Sequence, residues 1–166
     1  MIKFKEFVRS LLVNLSVIDQ RTWISSWLKG QRINSFVINE DLSVSVIGDV
    51  NIHMGKPLYG CNELPVKFRD VSGNFNCSNN YLKSLAGCPV RVIGNFSCAD
   101  NKLKDMVGSP IEVCGYFSCN NNEYLDEIFK RMSFLEIRLY VDNNNLNEFL
   151  SEDLVIGNKG ILGKKI

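Results

Sequence analysis

The sequence carries almost no surplus charge: 19 Lys and Arg stand against 18 Asp and Glu in 166 residues, a formal net charge of +1. That balance excludes binding to nucleic acid or an acidic membrane surface by bulk charge. No apolar run approaches the roughly 20 residues of a membrane-spanning helix. There is one histidine, His53, and nothing near it in sequence supplies a nucleophile and an orienting partner. Phosphate-loop, G-x-S-x-G and H-E-x-x-H patterns are absent, and so is the paired C-x-x-C spacing of a zinc site. The carboxylate pairs Asp126/Glu127 and Glu152/Asp153 read as helix-surface charge. The expectation is a chain that is not an enzyme and uses neither cofactor nor metal.

A signal peptide is also not expected. In MIKFKEFVRSLLVNLSVI, Glu6 and Arg9 follow the early lysines, Asn14 breaks the apolar part, and no small-residue cleavage site follows. Ile2, Phe4, Phe7, Val8, Leu11, Leu12 and Leu15 instead follow helical spacing. A cytoplasmic location is therefore expected, with Cys61, Cys77, Cys88, Cys98, Cys114 and Cys119 as reduced thiols.

What the sequence does contain is a repeat. Gly73, Gly94 and Gly115 are 21 residues apart, and Phe75/Phe96/Phe117, Cys77/Cys98/Cys119 and Asn80/Asn101/Asn122 keep the same step. Gly87 and Pro89 match Gly108 and Pro110. Each unit reads apolar-x-apolar-x-x-Asn-x-apolar, and a further copy follows at Leu139, Val141, Asn144 and Leu146. Alternation along a short strand sends Phe and Cys to the same side, so stacked units place Phe over Phe and Cys over Cys. Cys acts there as a small hydrophobe, and Val141 takes its place in the last copy. Asn80, Asn101, Asn122 and Asn144 are expected to be structural, satisfying backbone groups of the turn that follows the strand. Cys61 and Cys114 fall outside the ladder and are the candidate reactive thiols.

A stack of this kind needs its ends covered. Residues 1–34 read as an N-terminal helical cap, with a second helix from near Asp19, its expected N-cap, to Leu28. Trp23 and Trp27 share a face of that helix and are the candidate cap interface. Residues 35–67 read as a β-hairpin turning at Asn39–Asp41 and a degenerate first repeat, with Val50 and Ile52 at the Phe and Cys positions. Regular repeats fill 68–122. Residues 123–156 hold a helix from Glu123 to Phe134, the last repeat, and a C-terminal helical cap from Asn147 to Leu154. Residues 157–166 read as a frayed tail.

The pattern resembles the leucine-rich repeat, whose core is L-x-L-x-x-N-x-L. That resemblance implies an α/β solenoid: a short array between helical caps. The units GNFNCSNNYLKSLAGCPV and GNFSCADNKLKDMVGSPI, with the lead-ins IGDVNI and LPVKFRDVSGNF, are similar to small leucine-rich repeat proteins of tailed bacteriophages. A weaker similarity runs to the repeats of bacterial secreted effectors, whose units are typically one residue shorter. Leucine-rich solenoids usually bind through the concave strand face. Its outward positions here are Asn74, Asn76, Asn95, Ser97, Tyr116, Ser118, Asn120, Arg138 and Tyr140, small and polar at first and richer in hot-spot residue types later. The expected function is binding of a protein of the bacterial host, by a monomer or a cap-mediated dimer. The alternative is a virion component docking through the helical cap.

Overall fold

A computed structural model describes residues 16–53 and 62–122, together with the backbone of 155–157 and 160–163. In chain order the elements are α1 (Val17–Gly30), β1 (Phe36–Ile38), β2 (Val44–Val46), β3 (Val50–Asn51), β4 (Phe68–Val71), β5 (Phe75–Asn76), β6 (Arg91–Val92), β7 (Phe96–Ser97), β8 (Glu112–Val113), β9 (Phe117–Ser118), β10 (Val155–Gly157) and β11 (Gly160–Gly163).

The 21-residue step becomes a stacking step. Phe75 pairs in parallel with Phe96, and Phe96 with Phe117. The degenerate first repeat joins the same sheet through Val50 opposite Phe75. The resulting four-stranded sheet runs β3-β5-β7-β9. Between those strands the chain visits a second sheet, ordered β1-β2-β4-β6-β8. There β1 and β2 form the expected antiparallel hairpin and the later strands are parallel. The fold is thus a β-solenoid, with three turns formed by β4–β5, β6–β7 and β8–β9.

This differs from the α/β expectation. In every described turn both sides carry a strand, the one on the return side only two to four residues long. Gly87 and Gly108, at φ +92° and +87°, and the prolines behind them redirect the chain too soon for a helical turn. The tail also differs from expectation: β10 and β11 pair as an antiparallel hairpin, and β11 lies against β9. The expected helices at Glu123–Phe134 and Asn147–Leu154, and the last repeat, lie outside the described residues.

Inward-facing side chains form columns between the sheets. Phe75 and Phe96 stack at 5.7 Å and 7°, Phe96 and Phe117 at 5.0 Å and 29°, and Phe68 meets Phe75 edge-on at 5.2 Å. Cys77, Cys98 and Cys119 form the neighbouring column, and Leu82, Leu85, Leu103 and Met106 fill the rest. Glycine recurs before each strand because the turns touch there. The Gly94 amide donates to the Gly73 carbonyl at 3.0 Å, and a Cβ on Gly94 would lie 2.7 Å from that carbonyl's carbon and oxygen.

Helix α1 begins one residue beyond Ser16, not at Asp19. Ser16 is the N-cap: its Oγ accepts the Asp19 amide, and its hydroxyl donates to the Asp19 carboxylate. Ile24 and Leu28 are buried in the solenoid core, with Trp23 and Trp27 packed against it. The two ends of α1 meet the first edges of the two sheets. Arg21 donates to the carbonyls of Ile38 and Asn39, both at 2.8 Å, at the outer side of β1. Gln31 takes both backbone groups of His53, just past β3: it accepts from the amide at 2.8 Å and donates to the carbonyl at 3.2 Å. Backbone groups that could pair with another strand are engaged there by side chains.

Candidate functional site

The four-stranded sheet brings together most of the residues expected to bind a partner. Asn51, Asn76, Ser97 and Ser118 are in register across it, and Tyr116 is exposed beside the last strand. Much of this face bonds to itself. Asn74 Oδ1 accepts the Asn95 amide at 2.9 Å, and Asn95 Oδ1 accepts the Tyr116 amide at 2.7 Å. Asn76 Oδ1 accepts the Ser78 amide, Ser78 and Ser97 share a hydroxyl contact at 2.7 Å, and Ser118 donates to Asn120 at 2.6 Å. The face is polar, with Asp49 at its first edge accepting from the Asn74 amide and side chain, and much of its hydrogen-bonding capacity is spent within it. Arg138, Tyr140 and Asn144 lie outside the described residues.

Asn80, Asn101 and Asn122 are buried and form a second, internal ladder. Asn101 Nδ2 donates to the carbonyls of Cys77, Cys98 and Ala99 at 2.9–3.2 Å. Its Oδ1 accepts the amides of Asn80 and Leu82. Asn122 repeats the pattern on Cys98, Cys119 and Asn120, and accepts from Leu103. Each amide group thus closes its own turn and ties it to the preceding one.

The cysteine ladder is equally internal. Cys77, Cys88, Cys98 and Cys119 are free and buried. Cys77 and Cys98 point their thiols at the Ser97 and Ser118 carbonyls, 3.5 Å away. Burial, with Cys77 as the main neighbour, pushes the Cys88 thiol well up; burial, with Cys119 and Cys77 beside it, does the same to Cys98. A thiol raised in the folded state keeps its proton while the unfolded chain loses one. Its contribution to stability is therefore complete below the ordinary thiol range, about pH 8.5, and is lost as pH rises further. Half-exposed Cys114 lies outside the column, with its sulfur 3.7 Å from the Glu112 carboxylate. With iodoacetamide at neutral pH, Cys114 is expected to alkylate in the native protein, while the four buried thiols react only at the rate of unfolding. Mass spectrometry of timed samples checks this, and rapid native labelling of Cys98 would contradict a packing role. Cys61 lies outside the described residues. Among the described residues, no group of three His, Cys, Asp or Glu could hold a metal ion, and no helix is long and apolar enough to cross a membrane.

A surface that the residue pattern did not signal lies on the outer side of the five-stranded sheet. It is a depression of about 330 Å³. Val37, Ile47 and Ile93 form its apolar parts, and Asp70 and Arg91 supply its charges. Val37 and Ile47 are 59% and 74% exposed, unusual for aliphatic side chains gathered at one place. They come from the first hairpin, whereas Asp70, Arg91 and Ile93 come from regular turns. A repeat alignment therefore has no column that contains them all, and only the strand order β1-β2-β4-β6 assembles them.

No protein-family model, curated protein or solved structure matches the chain.

Proposed function

We propose that the chain is a non-enzymatic protein-binding repeat module of leucine-rich type, phage-encoded and directed at a protein in the cytoplasm of the bacterial host. The observation that carries this reading is the exposed aliphatic depression with charged residues beside it. A surface of that composition, mainly aliphatic with an acidic and a basic side chain beside it, suits a protein partner better than a small charged metabolite or nucleic acid. The buried, proton-holding thiols support a structural use of the cysteines. The contacts of α1 with both sheet edges support its role as the N-terminal cap. A virion component docking through the Trp23/Trp27 face has less support, because those rings already pack against the solenoid.

The test is affinity capture from a bacterial host lysate with three forms run together: wild type, Ile47→Asp with Ile93→Asp, and Tyr116→Ala. One host protein should be enriched by the wild type and lost with the double substitution. Loss only with Tyr116→Ala would move the binding face to the four-stranded sheet. Absence of any protein enriched over a scrambled-surface control, across lysates of several hosts, would sink the binding reading.

A further inference from the structure

On the outer side of the five-stranded sheet, side chains line up in two rows across the strands. Val46, Val71 and Val92 are buried and in register. The residues one step after them, Ile47, Ser72 and Ile93, form one outward row. The residues one step before them, Ser45, Asp70 and Arg91, form the other. In the first row a serine stands between two isoleucines, which leaves a notch one strand wide. Its floor is held in place, because Ser72 Oγ accepts the Gly48 amide at 2.9 Å. In the second row Arg91 is in register with Asp70 but turns away from it, its Nε bonding Glu112 at 2.8 Å. The Asp70 carboxylate keeps only long contacts, 3.4 Å to the Ser45 hydroxyl and 3.8 Å to Arg69. The depression therefore presents an aliphatic notch beside a carboxylate with capacity for a stronger partner; Arg91 is already neutralised by Glu112 and Arg69 reaches Asp70 only at 3.8 Å.

The two rows are two residues apart along the strands, roughly 6.6 Å at the usual strand rise. Side chains i and i+2 of an extended segment project to one side with the same spacing. We propose that this depression receives an extended segment of the partner protein carrying an aliphatic residue two positions from a lysine or arginine. The aliphatic side chain enters over Ser72, between Ile47 and Ile93, and the cation meets Asp70. This rests on the protein-binding reading and supplies the chemistry of the partner. The space of about 330 Å³ suits a few side chains and not a second domain. An acidic residue at the same place would face Asp70 with like charge.

The test uses two blocked tripeptides, acetyl-Leu-Ala-Lys-amide and acetyl-Leu-Ala-Glu-amide, titrated into the full-length 15N-labelled protein. The lysine peptide should shift amide signals in the segments 45–47, 70–72 and 91–93, and bind about threefold more tightly than the glutamate peptide. Asp70→Asn should remove that preference and keep the shifts around Ser72. Ser72→Leu fills the notch and should remove the shifts altogether. Both positions are exposed, and the spectrum of each variant reports its own folding. Equal binding of the two peptides, shifts confined to other segments, or no shifts at millimolar peptide would overturn the proposal. Lysate capture that persists undiminished in Ser72→Leu would also overturn it while leaving the binding-module reading intact. Absence of capture by every form would count against that reading alone.

Discussion

Asn101→Ala is expected to lower the unfolding free energy by about 4 kcal/mol, near the upper end for a single substitution. The side chain is buried and makes five hydrogen bonds, three to carbonyls and two from amides. Its removal takes an acceptor from the Asn80 and Leu82 amides of the preceding turn, and buried groups that lose their partners cost roughly 1–3 kcal/mol each. The three carbonyls lose a shared donor as well. Asn76→Ala provides the contrast. Asn76 is exposed and accepts the Ser78 amide, so its loss should stay within about 1 kcal/mol. Urea unfolding of the three proteins checks both values. A cost below about 1 kcal/mol for Asn101→Ala would mean that the ladder is dispensable and that the strand bonds alone hold the turns in register.

The contrast between these asparagines shows how two chemically equal residues divide. Both recur at fixed places in the repeat. Asn80, Asn101 and Asn122 follow the inward strand residues and turn inward, where their two-sided amide fits a turn with both donors and acceptors to satisfy. Asn74 and Asn95 precede an inward phenylalanine and stay at the surface, yet each gives its Oδ1 to the next turn's amide. An outward position in the pattern is therefore not the same as a free recognition group. Asn74, Asn76, Asn95, Ser97, Tyr116 and Ser118 lie along the four-stranded face, while its polarity serves in large part to stack the turns.

The sequence was most readable wherever one turn's physics repeats in the next. The Phe and Cys columns, the inward asparagines, the first hairpin and the degenerate repeat at Val50 and Ile52 all follow from alternation and period. The second sheet was harder to read. Its repeat strands are as short as Arg91–Val92 and Glu112–Val113, with one buried residue each, and no local pattern distinguishes them from a return loop. They become strands because the fixed 21-residue step stacks them. The depression was hidden for a related reason. Its notch is a serine at one repeat position where the neighbours carry isoleucine, and one of those neighbours belongs to the non-repetitive hairpin. The start of α1 was displaced because Ser16 and Asp19 both suit an N-cap; the hydrogen bonds place Ser16 there and Asp19 in the first turn.

Phe96→Ala should cost about 4 kcal/mol and also change how the solenoid unfolds. Its ring is fully buried and is the middle member of the stack, touching Phe75 on one side and Phe117 on the other. Truncation of a buried phenylalanine costs about 3–5 kcal/mol, and ring contacts add roughly 0.5–1.5 kcal/mol per pair beyond burial. Each turn of a solenoid touches only its neighbours, so a cavity in the central turn weakens the coupling between the turns on either side. The urea transition should therefore move to lower concentration and also broaden, giving a smaller apparent m-value. Tyr116→Ala is the control. Tyr116 is exposed beside the last strand, so it should cost less and broaden the transition less. An unchanged m-value for Phe96→Ala, with the full loss in midpoint, would show instead that the described turns fold as one unit whose cooperativity is carried by the Asn ladder and the strand bonds.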